Sequence, residues 1–296
     1  MVGGFKARMS QEMGNKFIVR RKQIAATGQR FLPQVLALAA GLLAGCQTVQ
    51  TTGAGQVGVT RSQYMAVSAA EVDAASAQSY RKMLQEAERK KQLNLDGVML
   101  ARVQGIAKKL VAQTTHFRPD ALSWRWETNV FHSDEVNAFC MAGGKIGIYT
   151  GLIEKLRITD DELAAVMGHE IAHALREHVR EQVSRQQAAR LPGIVVAIVT
   201  GNQALADLGD TLTQVSFTLP RSREAETEAD QIGVELAARA GYDPRAAISL
   251  WQKMNQLGGG RPPEFLSTHP SPDSRQQDLA RLSAVVMPLY EQSRKR

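Results

Sequence analysis

The chain is poor in cysteine, poor in aromatic residues and without a long apolar run. Of its 296 residues, two are cysteines and 5% are aromatic. So few cysteines exclude a disulfide-framed scaffold, and a chain of this length must hold its fold by ordinary core packing. No stretch reaches the roughly 20 apolar residues of a membrane-spanning helix, which excludes a multi-spanning protein. Beyond the first 45 residues, charge of one sign is lacking too. The formal net charge is +7, but Lys6, Arg8, Lys16, Arg20, Arg21, Lys22 and Arg30 face only Glu12 in residues 1–45, leaving 29 bases and 28 acids for the remainder. The basicity is local, so nucleic-acid binding is not indicated.

Histidine is scarce as well, yet three of the six fall within residues 169–178. His169-Glu170-Ile171-Ala172-His173 sits in the proline-free run 162–175. Four residues on a helix advance about 40° past a full turn, so both imidazoles project from one face. That spacing suits two nitrogen ligands of a tetrahedral zinc ion. Glu170 lies beside the same face, where a carboxylate can take the proton of a metal-bound water. Apolar Val166, Met167, Ile171, Ala172 and Ala174 mark the helix as buried, and buried histidines need partners or a metal. Thr159 through Glu162 reads as a capping box, with Asp160 and Asp161 suited to the positive helix end. The charged run after His173 predicts a helix emerging into solvent, with His178 as a surface or supporting residue.

Residues 1–45 read as an export signal: a basic segment, then a short apolar core ending in Leu43-Ala44-Gly45-Cys46. The last four residues resemble a bacterial lipobox, which predicts cleavage before Cys46, acylation of that cysteine and a lipid anchor in the membrane. Gln47 is not the aspartate associated with inner-membrane retention, so the expectation is a periplasmic protein anchored in the outer membrane. Met9 and Met13 are alternative starts. Cys140 is then unpaired, and its apolar surroundings mark it as a buried inert thiol in preference to a metal ligand or redox switch.

Residues 46–68, rich in Gln, Thr, Gly and Ser, read as a flexible tether, ahead of a domain over 69–296. Helical patterns follow at 69–91 and 96–114. Residues 122–131, 136–141 and 145–149 alternate as strands, with a turn at Gly143-Gly144, and predict a small antiparallel sheet before the zinc helix. An edge of that sheet could pair with an extended peptide. Ile194 through Val199 is apolar but too short to cross a bilayer, a buried helix or a membrane-leaning flap. Residues 204–220 are weakly patterned. Later helices start at Asp243-Pro244 and near Pro272.

A third ligand is expected on a later helix. In Arg221-Ser222-Arg223-Glu224-Ala225-Glu226-Thr227-Glu228-Ala229-Asp230, Glu226 and Asp230 share a helical face. Glu226 would bind the ion, and Asp230 would accept an N–H from a ligand histidine and fix its tautomer. Glu224 and Glu228 compete, and the spacing to Asp230 favours Glu226.

With Asn137-Ala138-Phe139, Gly143-Gly144, Gly151-Leu152-Ile153, Gly241-Tyr242-Asp243-Pro244 and Ser267-Thr268-His269-Pro270 in the same order, the chain resembles the zinc metallopeptidase family of HtpX and the CAAX prenyl endopeptidases. Within it, the soluble periplasmic lipoprotein branch of BepA and LoiP is the nearer likeness. The resemblance spans about residues 95–285. It departs at Met141-Ala142, where the family often has proline. The likeness implies an α+β, mostly helical gluzincin (zincin) domain with one zinc ion per chain. His169, His173 and Glu226 would be ligands and Glu170 the general base. His269 would approach the zinc and restrain activity, or stabilise the oxyanion; from the residues alone it is a loop histidine with a packing or capping role. Arg275 could brace that loop. The implied function is endopeptidase cleavage of misfolded or outer-membrane polypeptides, in contact with outer-membrane assembly machinery. The alternative is a chaperone or assembly factor that keeps the fold and rarely cleaves.

Overall fold

A computed structural model describes residues 47–190, 202–257, 263–270 and 274–295. Residues 48–296 form one compact unit. The signal, Cys46, the apolar run 194–199 and Pro272 lie outside the described residues.

The elements in chain order are β1 (Gln47–Val49), β2 (Gln63–Met65), α1 (Ala69–Arg89), α2 (Gly97–Val111), β3 (Glu127–Phe131), β4 (Ala138–Met141), β5 (Lys145–Tyr149), α3 (Thr150–Leu156), α4 (Asp160–Leu175), α5 (His178–Arg190), α6 (Asn202–Phe217), α7 (Arg223–Arg239), α8 (Ala246–Gln256), α9 (Glu264–Thr268) and α10 (Arg275–Ser293). The class is the α+β one expected, mostly helical with a small sheet. No described helix is long and apolar enough to cross a membrane.

The sheet order is β3-β5-β4. β4 and β5 form the expected antiparallel hairpin, Cys140 opposite Ile146, closed by Gly143 and Gly144 at φ 72° and 81°. β3 differs from the antiparallel expectation. It pairs with β5 in parallel, Val130 opposite Ile148, because the chain leaves β3, places β4 on the far side and returns through the middle. Phe139 meets Phe217 of α6 edge-on at 4.9 Å, and all four residues of β4 are buried.

α4 begins as its sequence dictates. The Thr159 hydroxyl accepts from the Glu162 N–H at 3.2 Å, and the Glu162 carboxylate accepts from the Thr159 N–H at 2.9 Å. Its most extensive contact is with α7. Leu163, Met167 and Ile171 from one helix and Ala229, Ile232 and Leu236 from the other lie in a single core. The backbones touch at two glycines: a Cβ on Gly168 would sit 2.7 Å from the Gly233 carbonyl oxygen, and one on Gly233 would sit 2.7 Å from the His169 nitrogen. Only hydrogen at both positions permits that approach.

Three expectations are corrected. Residues 48–68 are not a flexible tether: Val57, Val59, Gln63 and Met65 are buried, and Arg61 and Gln63 bond to Glu181. Small polar residues marked the segment as a linker, yet they make the backbone and side-chain bonds that dock it. The stretch after His173 does not emerge into solvent: Arg176 is fully buried, and His178 and Glu181 are buried with it. The charges of Arg176 and Glu181 are tolerated because Glu228 and Arg61 pair them. Residues 204–220, weakly patterned in sequence, belong largely to the regular helix α6, whose Leu212 and Val215 pack with Val72 and Ala75 of α1.

Gly233→Ala is expected to destabilise the protein by about 1–3 kcal/mol through overpacking. Gly105→Ala, in α2 with nothing within 4 Å of its Cβ, should stabilise by about 0.5–1 kcal/mol. Urea unfolding of the two variants measures the contrast, and equal midpoints would contradict the crossing.

Candidate metal centre

The glycine contact sets α4 against α7 so that their polar residues meet. His169 Nε2 lies 3.0 Å from His173 Nε2 and 3.5 Å from a Glu226 carboxylate oxygen; the other Glu226 oxygen is 3.3 Å from His173 Nε2. His269 Nδ1 closes the group, 3.2 Å from His169 Nε2 and 3.0 Å from Glu226. These four residues could hold a metal ion among them. A tetrahedral ion with bonds of about 2.0–2.1 Å requires ligand atoms roughly 3.3 Å apart, and the observed separations bracket that value.

The surroundings fit a cation as well. His169 Nδ1 faces Asp230 Oδ1 at 3.0 Å, so its N–H points away from the cluster and Nε2 offers a lone pair. His173 does the same through His178: the two Nδ1 atoms are 2.8 Å apart, and His178 Nε2 donates to Glu228 at 3.0 Å. Arg275, buried on α10, spans Glu226 at 3.1 Å and Asp230 at 2.7 Å, with its guanidinium 3.5 Å from the Trp251 ring centre. Glu170 is buried, and its Oε1 accepts no hydrogen bond; His269 Nε2 lies 3.4 Å away. A buried carboxylate oxygen without a donor needs a water or a bound group to complete it.

Burial alone would lower the His169 pKa, but Asp230 and Glu226 outweigh it and raise it to about 9, so a metal ion binding at Nε2 would displace a proton there. Burial, helped by the charge of Arg221, drives His173 well below the usual histidine range. Burial opposes the Glu226 charge, yet His269 and His169 hold its carboxyl well below the normal range. Burial also pushes the Cys140 thiol far up, in keeping with an inert buried cysteine.

The structure thus brings His169, His173, Glu226, Asp230, Glu170 and His269 together, and His269 caps the C-terminal end of α9 instead of lying in a free loop. Sequence reasoning underrated His178, Arg275 and Glu228. Glu228 accepts from Arg61, Arg176 and His178, so it backs the centre without facing it. A histidine five residues past the motif, with an acid two residues past the expected ligand, was the available signal.

Residues 100–283 match the model of peptidase family M48. The chain belongs to peptidase family M48. It is 38% identical to the mitochondrial metalloendopeptidase OMA1 of Arabidopsis thaliana over 177 residues, 60% of this chain and 35% of that protein. The OMA1 of Saccharomyces cerevisiae is 34% identical over 177 residues, 57% of this chain and 50% of that one. The β-barrel assembly-enhancing protease of Escherichia coli is 33% identical over 180 residues, 55% and 36%. The match spans about a third to a half of the length of these relatives. Membership implies a metal, and the four-residue cluster is the group in the described structure that could hold it.

The charges behind the centre set an acid response. Burial lowers the His178 pKa to about 4. Burial alone would raise Glu228, but His178 and Arg61 hold it at about 2. Both groups bind more protons when unfolded, so stability falls with pH: from about 6.5 down to 4 for His178, and from about 4.5 down to 2 for Glu228. The urea midpoint should drop between pH 7 and pH 4, less steeply in His178→Gln, and parallel curves would contradict this.

Proposed function

We propose that the chain is a zinc-dependent endopeptidase of the bacterial envelope, held latent by His269. The observation that carries the reading is the convergence of four metal-binding atoms from α4, α7 and the end of α9 beside the unbonded Oε1 of Glu170. His169, His173 and Glu226 are the ligands. Zinc, when bound, polarises the scissile carbonyl and acidifies a water.

Glu170 takes the water's proton at Oε1 and returns it to the leaving amine nitrogen. Asp230 and His178 fix the tautomers of His169 and His173, and Arg275 holds Glu226 and Asp230 in register. An extended peptide would add its backbone to the edge of β4, which lies alongside α4.

Two observations support latency. His269 Nδ1 stands at the fourth corner of the donor set, where a catalytic zinc needs an open position. All of β4 is buried, so its edge is covered in this conformation. Activation then requires His269 to leave the cluster and the edge of β4 to open.

Cys46 acylation, anchoring at the outer membrane, and misfolded or outer-membrane polypeptides as substrates complete the reading. They are supported by the lipobox-like sequence and by similarity to a protease named for β-barrel assembly.

Purified protein should carry about one zinc per chain and cleave casein, with chelator abolishing cleavage. Glu170→Gln should reduce the rate by at least a hundredfold at unchanged metal content. His269→Ala should raise it severalfold. Equal, chelator-insensitive behaviour of wild type and Glu170→Gln would leave only a binding role, and no rise in His269→Ala would remove the latch.

A further inference from the structure

Beside the metal centre lies a second feature that the hydrolytic chemistry does not use. A cavity of about 400 Å³ opens between α5 and the start of α7, walled by His178, Glu181, Gln182, Arg185, Pro220 and Arg221. Arg221 is 6% exposed, and its Nε and Nη1 have no hydrogen-bond partner. A buried guanidinium without an acceptor is costly and needs an explanation such as a missing anion.

The neighbouring acids do not supply one. Glu181 is taken by Arg61 at 2.6 and 2.9 Å, Gln63 at 2.8 Å and Arg185 at 2.6 Å. Glu228 is taken by Arg61, Arg176 and His178. Glu224, on the first turn of α7, accepts from its own backbone N–H and Ser222. Arg61, Arg176 and Arg185 are each paired with Glu181 or Glu228, whereas the Nε and Nη1 of Arg221 find no acceptor among the described residues.

The structure assigns this cavity as a subsite for a carboxylate on the substrate, with Arg221 as its specificity-determining residue. The assignment rests on the endopeptidase reading above. Two contacts tie the cavity to the cleavage centre. The Arg221 N–H donates to the Thr268 carbonyl at 3.0 Å, one residue before His269. His178 in the cavity wall touches His173. In this assignment a side chain next to the peptide bond held at the metal centre enters the cavity and meets Arg221.

The walls match an acidic side chain better than a free phosphate. Ala189, Pro220 and Ala225 give the passage an apolar part, and of its two guanidiniums that of Arg185 is held by Glu181, which leaves that of Arg221. Such a passage fits a methylene stem ending in a carboxylate, which arginine grips through two parallel hydrogen bonds. A free phosphate would ask for several donors.

The test uses the full zinc-loaded chain carrying Glu170→Gln, which binds peptides without turnover. Labelled peptides are compared in which one position at a time is Glu or Gln, and binding is read by fluorescence anisotropy. At one position the Glu peptide should bind about tenfold tighter. Arg221→Gln should bring that ratio to about one while leaving the Gln peptide's affinity within about twofold, and Arg221→Lys should keep part of the ratio. Thermal unfolding of Arg221→Gln without peptide should occur at or above the wild-type temperature, since an unpaired buried charge has been removed.

A ratio of one at every position, or a ratio that survives Arg221→Gln, overturns the assignment. So does Arg221-dependent binding of inorganic phosphate with no preference for Glu. Casein cleavage by wild type, run alongside, separates the two claims: an active enzyme with a flat ratio loses only the subsite, whereas an inactive one loses the endopeptidase reading.

Discussion

Where Gly168 and Gly233 meet, two helix backbones come closer than any side chain allows, and the centre depends on that approach. His169 follows one glycine directly, and His173 stands one turn beyond it. Glu226 and Asp230 sit on α7 ahead of the other. The contact sets the separations between the two imidazoles and between each of them and a Glu226 oxygen at 3.0–3.5 Å, within a few tenths of an ångström of the edge of a zinc-sized tetrahedron. A wider crossing would leave Glu226 short of the histidines while the hydrophobic core between the helices could still form.

Around that contact the protein arranges charge in two layers. Facing the donors, Asp230 and Arg275 orient His169 and Glu226. Behind them, His178 passes the orientation of His173 to Glu228, and from there to Arg61 and Arg176. Arg61 belongs to the segment 48–68 that docks over the end of α4. The segment is thereby joined to His173 of the donor cluster through three hydrogen-bonded side chains, and the tie gives a sequence of unremarkable composition a structural task.

Much of this was legible in the residues. The motif spacing placed His169 and His173, and the four-residue step to Asp230 selected Glu226 over Glu224 and Glu228. The capping box fixed the start of α4, and Gly143-Gly144 fixed the hairpin. What stayed hidden depended on contacts distant in sequence. Periodicity does not say that β3 joins β5 in parallel. It does not say that Arg176 and Glu181 are buried, because charge is tolerated inside only when partners from elsewhere arrive to pair it, here Glu228 for Arg176 and Arg61 with Gln63 for Glu181. The polar composition of 48–68 pointed to a tether because composition does not report which hydrogen bonds are made. His269 read as a loop residue, since its place at the donor set is decided by the packing of Phe265 against it, with ring centres 4.3 Å apart.

Latency and chemistry share one coordination site in this account, and the identity of the groups around the ion decides it. X-ray absorption at the zinc edge of the zinc-loaded full chain measures them directly. The account predicts nitrogen and oxygen neighbours at about 2.0–2.1 Å, with the outer scattering pattern of three imidazoles. A sulfur neighbour, or fewer than three imidazoles, would contradict it.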